Sequence, residues 1–268
     1  TISNYYVTGG GTKYQALVQA VQTSQYAKVF YLTVNYDLFL DHAIQTLYAV
    51  TFQDLGSYWQ DRCVLAKLHG SVNWGKAIVN YNRKNVSADG DILMMLETLD
   101  SDLQLSDQVR VSPMPPFLVP GTSVLPEIDK QNKILKALRL GGNPRMTHYP
   151  ALSAPIQGKT DFHISGDQLE NIRAFLRECS DFLIIGFSGL DEHVVQLFRD
   201  VTEVRKLEIV NGDRAGGVQA LQRFAAASEA FKIRVSRHAF PGTWAWAPFD
   251  GGFAHFVDSG DLDLFLSR

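Results

Sequence analysis

The chain has 268 residues, 46% hydrophobic and 20% charged, with a formal net charge of −3. That apolar share is the globular average, which excludes wholesale disorder, and the length suits one large domain or two small ones. With 25 basic residues against 28 acidic ones, the charge balance gives no net pull toward nucleic acid or an anionic membrane. Two cysteines, Cys63 and Cys179, can build neither a disulfide framework nor a four-thiolate metal site, and they favour a reducing, cytoplasmic setting. The longest apolar runs are strand-length, far short of the roughly 20 residues a membrane-spanning helix needs.

Tyr5 to Gly11 has the character of a strand running into glycines ahead of a helix. Gly9-Gly-Gly11 could cradle a phosphate, although a lone triplet fits a plain turn equally well. Thr12 to Thr23 carries Tyr14, Leu17, Val18 and Val21 at helical spacing. A buried strand follows from Lys28 to Val34 and ends in Asn35-Tyr36-Asp37. Asp37 then stands as N-cap of a helix running to Tyr48, with Leu38, Leu40, Ala43, Ile44 and Leu47 on its apolar face. A second strand, Cys63 to Leu68, ends in His69-Gly70-Ser71.

Residues 75 to 165 interrupt this rhythm. They hold eight of the ten prolines, so they read as an inserted small subdomain, loop-rich, with one helix at Pro126 to Leu140. The alternation then resumes with a helix from Asp167 to Cys179, a strand from Phe182 to Ile185 and the turn Gly186-Phe187-Ser188. A helix from Asp191 to Val204 and a strand from Lys206 to Val210 follow, the strand ending in Asn211-Gly212-Asp213. The aromatic segments Phe240 to Trp246 and Phe253 to Phe256 fit packing better than an interaction edge. Strands alternating with helices predict an α/β fold built on a doubly wound parallel sheet.

In such a sheet, ligands bind beyond the carboxyl ends of the strands. The four predicted strand ends bring Asn35, Tyr36, Asp37, His69, Ser71, Asn73, Gly186, Ser188, Asp191, Asn211 and Asp213 toward one edge. Each has a plainer use: Asn35, Asp37 and Asp191 as helix caps, His69 as a core histidine, and Gly186 to Gly189 as a tight turn. The remaining histidines, at 42, 148, 163, 193, 238 and 255, lack metal-ligand spacing.

Taken together, Thr33-Val-Asn-Tyr-Asp37, Lys67-Leu-His-Gly-Ser-Val-Asn-Trp74, Leu183-Ile-Ile-Gly-Phe-Ser-Gly-Leu-Asp191 and Ile209-Val-Asn211 resemble the sirtuin-like superfamily. More narrowly they are similar to its bacterial branch of NAD-consuming proteins, over about Thr12 to Asp213. The resemblance implies a Rossmann-like sheet in a single domain and NAD+ as substrate. It implies Asn35 beside the nicotinamide ribose, His69 acting on ribose hydroxyls or water, and Asp37 orienting its neighbours. Thr33, Tyr36, Ser71, Gly186, Phe187, Ser188 and Asn211 fall on the motif positions that surround the dinucleotide. Two departures matter. The family's opening strand and glycine-rich loop have no good match, so the chain is expected to be N-terminally incomplete. The interval from 75 to 178 holds no cysteine, which removes the zinc module of the deacylases and favours plain NAD+ cleavage.

The expected activity is therefore NAD+ glycohydrolysis, releasing nicotinamide and ADP-ribose. The reaction passes through an oxocarbenium-like state, for which glycosidases enlist paired carboxylates. Here Asn35 would hold water or ribose hydroxyls and His69 would serve as general base. Resemblance to the bacterial branch implies an NAD-depleting effector of antiviral defence, held in check by homo-oligomerisation or by a regulatory or sensor partner. The alternatives are a sensing module that binds NAD or a nucleotide without turnover, and an NAD-dependent ADP-ribosyltransferase or deacylase.

Overall fold

The computed structural model describes residues 12–80, 104–111, 148–152, 162, 164–240, 243–244 and 249–267, and two pairs of parallel strands frame it. In the first pair, β1 (Val29–Thr33) lies beside β2 (Cys63–Lys67), with Val29 opposite Cys63 and Thr33 opposite Lys67. The next three strands form a separate antiparallel sheet, in which β3 (Gly70–Asn80) runs between β4 (Gln104–Val111) and β5 (His148–Leu152). The second parallel pair sets β6 (Asp181–Ile185) beside β7 (Lys206–Val210). A two-stranded ribbon of β8 (Ala239–Phe240) and β9 (Thr243–Trp244) lies near the C-terminus.

Side-chain alternation gives both parallel pairs the same two faces. Phe30, Leu32, Ala66, Leu68, Phe182, Ile184, Leu207 and Ile209 join one apolar cluster. Tyr31, Cys63, Leu65, Leu183, Ile185 and Val210 join the other. All five residues of β2 are buried, as expected of a strand covered on both sides. The first cluster is closed by α3 (Gly166–Glu178), α4 (Glu192–Gln196), α5 (Arg214–Ala227) and α6 (Glu229–His238). The second is closed by α1 (Lys13–Thr23), α2 (Phe39–Tyr48), α7 (Gly252–Asp258) and α8 (Asp261–Ser267). Thr12 and Ser165 start α1 and α3 with complete capping boxes, each side chain accepting from the backbone three residues on while Gln15 or Gln168 reaches back.

The chain is thus mixed α/β, as the alternation predicts. The predicted single sheet is not seen: among the described residues no backbone ladder joins the two parallel pairs. Side chains link them instead. At the amino-terminal end the Tyr26 hydroxyl donates to Asp181 at 2.8 Å, and Arg205 forks onto the same carboxylate at 2.9 and 2.7 Å. The helix predicted from Asp191 to Val204 closes after Gln196 and continues as tighter turns, in which Leu197, Phe198 and Arg199 each donate three residues back. Leu197, Phe198, Val201 and Val204 are all buried, so their apolar spacing reflects core contacts rather than a long helix. The helix predicted from Asp37 starts two residues later, at Phe39. Gly9 to Gly11 and Pro126 to Leu140 lie outside the described residues. Helices α5 to α8 escape the sequence reading. Phe256 is fully buried on α7, a packing role as expected, whereas Phe240 and Trp244 are described here only by their strand backbone.

Burial pushes the Cys63 thiol up to about 12 and the Cys179 thiol up to about 11, the latter raised further by Glu178 and Asp181. No helix among the described residues is long and apolar enough to cross a membrane.

Two stability predictions follow from this packing. Phe224 is 1% exposed and meets Phe187, Phe198 and Phe231 at centroid separations of 5.9, 4.9 and 5.4 Å. Phe224→Ala should cost about 3–5 kcal/mol of unfolding free energy, read from the shift in a urea transition. Asp181 is pushed up by burial, but hydrogen bonds from Arg205 and Tyr26 outweigh this and hold its carboxyl below the ordinary value. Its contribution is therefore present above the usual carboxylate range and is lost as pH falls through the lowered value. Asp181→Asn should be less stable at neutral pH and should flatten the acid side of the pH–stability curve measured by chemical denaturation.

Candidate functional site

Parallel pairing aligns the carboxyl ends of β1 and β2, and this alignment builds the site. Asn35 and His69 each lie two positions beyond the last paired residues, Thr33 and Lys67. The pairing continues into the loops, since the Leu68 amide donates to the Thr33 carbonyl at 3.1 Å and the Val72 amide to the Tyr36 carbonyl at 3.0 Å. The Ser71 hydroxyl, fully buried, donates to the same Tyr36 carbonyl at 3.3 Å. Thr33 accepts the Asn35 amide through its hydroxyl at 3.0 Å. Thr33 and Ser71, predicted to surround a ligand, therefore use their hydroxyls to shape the Asn35–Asp37 loop.

Below that loop sits an ion pair with almost no access to water. Lys67 and Asp41 are 1% and 2% exposed, with Nζ and Oδ2 2.7 Å apart. The Lys67 ammonium also donates to the Asp37 carbonyl. The other Asp41 oxygen accepts the Tyr58 hydroxyl at 3.0 Å, and Trp74 donates its indole N–H to Tyr58 at 3.2 Å. A buried pair is stable only when its remaining donors and acceptors are met, and this network meets them with a loop carbonyl and a phenol. The nearby void lined by Tyr58, Trp59, Lys67 and Gln168 is about 10 Å³, room for one water and no ligand.

Above the network the polar side chains face the edge. Asn35 is exposed and donates its amide N–H to the Tyr14 hydroxyl at 3.2 Å. Burial, then the charge of Asp37, raise the Tyr14 phenol above its ordinary value against the pull of Asn35, so it stays protonated. Asp37 accepts the Phe39 amide at 3.0 Å and places a charge beside Tyr14, but the predicted N-cap role falls one residue later, on Leu38, whose carbonyl takes the first helical bond. Tyr14 stacks on Phe39 and meets Phe253, which fixes its ring. The sequence reading has Tyr14 only as part of an apolar stripe; nothing in its spacing signals the contact with Asn35.

His69 is 7% exposed and sits between Tyr36 and Phe162, with ring centroids 6.4 and 6.2 Å away. Its Nε2 meets Asp191 Oδ2 at 2.7 Å. Asp191 Oδ1 accepts the amides of His193 and Val194 at 3.1 and 3.2 Å, capping α4. Asp191 thus caps the helix with one oxygen and meets His69 with the other. His69 Nδ1 is buried and has no hydrogen-bond partner among the described residues. An unmet buried polar atom costs about 1–3 kcal/mol, so this nitrogen calls for a partner. Burial, then the charge of Asp191, raise the Tyr36 phenol as well.

The second strand pair contributes the other wing. The Gly186 amide donates to the Val210 carbonyl at 2.8 Å, which seats the turn beside Asn211. Gly186 and Gly189 have φ of +65° and +72°, a region that side chains rarely tolerate. Nothing lies within 4 Å of a Cβ built at Gly186, while one at Gly189 would come within 3.0 Å of the Arg223 side chain. Phe187 packs its ring on Phe224, away from the edge, and Ser188 is exposed, its carbonyl accepting from Arg223. Asn211 accepts the Gly212 amide at 2.8 Å, and Asp213 caps α5 through the Gly216 amide.

Comparison with protein-family models, with curated proteins and with solved structures finds no match.

The structure brings Asn35, Asp37, Tyr14, His69 and Asp191 to one strand edge, with Gly186, Ser188 and Asn211 at the edge of the second pair. Asp191, at the end of the loop after β6, ties the two. Removing half of the buried pair should show how firmly the Asn35–Asp37 loop depends on it. Asp41→Ala leaves the Lys67 ammonium without its counter-charge and should cost about 3–5 kcal/mol in urea denaturation. The double variant Asp41→Leu/Lys67→Met should recover most of that loss, because no unpaired charge remains.

Proposed function

We propose that this chain is an NAD+ glycohydrolase whose sheet edge cleaves the bond between nicotinamide and ribose. One observation carries the reading most directly: His69, backed by the Asp191 carboxylate at 2.7 Å, has a buried ring nitrogen with no partner among the described residues, beside the loop that bears Asn35. The four motif segments and their order support the same reading, as does the sharing of two core faces by the parallel pairs. We read those pairs as parts of one Rossmann-like sheet, with the interval from 75 to 165 as an inserted subdomain.

In the reaction, the C1′–N bond breaks and its electron pair leaves with nicotinamide, which departs neutral from a cationic pyridinium. Positive charge grows on the ribose ring, and water adds to C1′ as its proton passes to a base. His69 is the base in this scheme. Asn35 orients the water or the ribose hydroxyls with an amide that can donate and accept. The protonated Tyr14 phenol steadies Asn35, and Asp37 supplies negative charge close to the developing cation. A turn at Gly186 to Gly189 with backbone exposed suits the ribose-phosphate half of the dinucleotide, with Asn211 beside the adenosine ribose.

Unchecked NAD+ loss would harm the host cell, so an effector role in antiviral defence, gated by self-assembly or a sensor partner, is part of this proposal. The test is release of nicotinamide and ADP-ribose by the purified chain. Asn35→Ala and His69→Ala should each lower the rate about 10²–10⁴-fold, the usual contribution of a positioned acid, base or orienting group. Wild-type rates in both variants would overturn the assignment. ADP-ribose found on protein would convert it to a transferase, and tight NAD+ binding without product would make the chain a sensor.

A further inference from the structure

We infer that Asp191 is a positioning residue that fixes the tautomer of His69, making Nδ1 the atom that takes the proton. The inference rests on the reading of His69 as base and deepens it by naming the reactive nitrogen and the group that selects it.

An ionised carboxylate can only accept hydrogen bonds. Asp191 Oδ1 already receives two backbone amides at the start of α4, at 3.1 and 3.2 Å, so the carboxylate is held from behind. Its Oδ2 lies 2.7 Å from Nε2, a contact that requires a proton on Nε2. In the neutral ring the lone pair then belongs to Nδ1, the nitrogen with no partner among the described residues. Flipping the ring would press a carbon against Oδ2 at the same separation, and Tyr36 and Phe162 restrain the plane at centroid distances of 6.4 and 6.2 Å. The arrangement follows the logic of a carboxylate that orients a histidine base, with the base atom on the far side of the ring. Asp191 reaches His69 across 122 residues of sequence, from the loop of the other strand pair.

The distinguishing variant is Asp191→Asn. Asparagine caps helices as well as aspartate does, so its oxygen can keep the His193 and Val194 amides. Its NH2 group would then face Nε2, which must become an acceptor, and the ring proton would move to Nδ1. Long-range ¹H–¹⁵N correlation spectra of the histidine rings, assigned with His69→Gln, should show the Nε2–H tautomer in the wild-type chain and the Nδ1–H tautomer in Asp191→Asn. Nicotinamide release should fall at least about a hundredfold in kcat with little change in KM, because the substrate surface is kept while the base is blocked.

A wild-type ring protonated at Nδ1, or a switched tautomer without loss of turnover, overturns the inference. The wild-type spectrum alone decides the tautomer even where the variant folds poorly. The expected tautomers with no nicotinamide release from the wild-type chain would defeat the hydrolase reading and leave the Asp191–His69 assignment standing.

Discussion

A lysine ammonium removed from water governs much of this molecule. Lys67 is the last residue of a strand buried on both faces, and its side chain has nowhere to go but under α2. An unpaired charge there would be prohibitive, so the sequence must supply a carboxylate and a carbonyl within reach. Asp41 is the carboxylate, and the carbonyl belongs to Asp37, in the loop that presents Asn35. The solvation needs of one buried cation thereby become a geometric constraint on an exposed amide. Tyr58, in the short 3-10 turn Gly56–Tyr58, and Trp74 on β3 extend the constraint, so that the loop rests on three elements rather than on its own stiffness.

The same economy recurs above it. Asp191 satisfies two amides of α4 and one ring nitrogen of His69, and Asp37 satisfies an amide of α2 while setting the charge near Tyr14. In both cases a helix start fixes a carboxylate, and the fixed carboxylate acts on a neighbouring ring. Side chains that would be mobile alone are held by groups the fold needs anyway, which is the usual condition for a preorganised polar site.

Much of this was legible in the sequence, and the limits have physical causes. The four parallel strands and helices α1 to α3 show themselves because each buries a periodic apolar face. The polar residues after each strand are readable because parallel topology sends them to one end. The long helix expected after Asp191 is shorter in the structure, since Leu197, Phe198, Val201 and Val204 serve the core at spacings a helix would also produce. Partnerships such as Lys67 with Asp41 and His69 with Asp191 join residues 26 and 122 positions apart, and no local pattern encodes them. The bonds that Thr33 and Ser71 make to the Asn35–Asp37 loop, and the packing of Phe187 on Phe224, are likewise invisible in the motif.

The two glycines of the turn after β6 carry unequal burdens. At position 186 the backbone angle alone objects to a side chain, and the space beside it is open, so an asparagine could be accommodated with modest strain. At position 189 the same kind of backbone angle is joined by the Arg223 side chain, which would have to give by a few tenths of an ångström. Descendants of this chain would thus replace the first glycine more readily than the second, where backbone angle and the arginine of α5 stand in the way together.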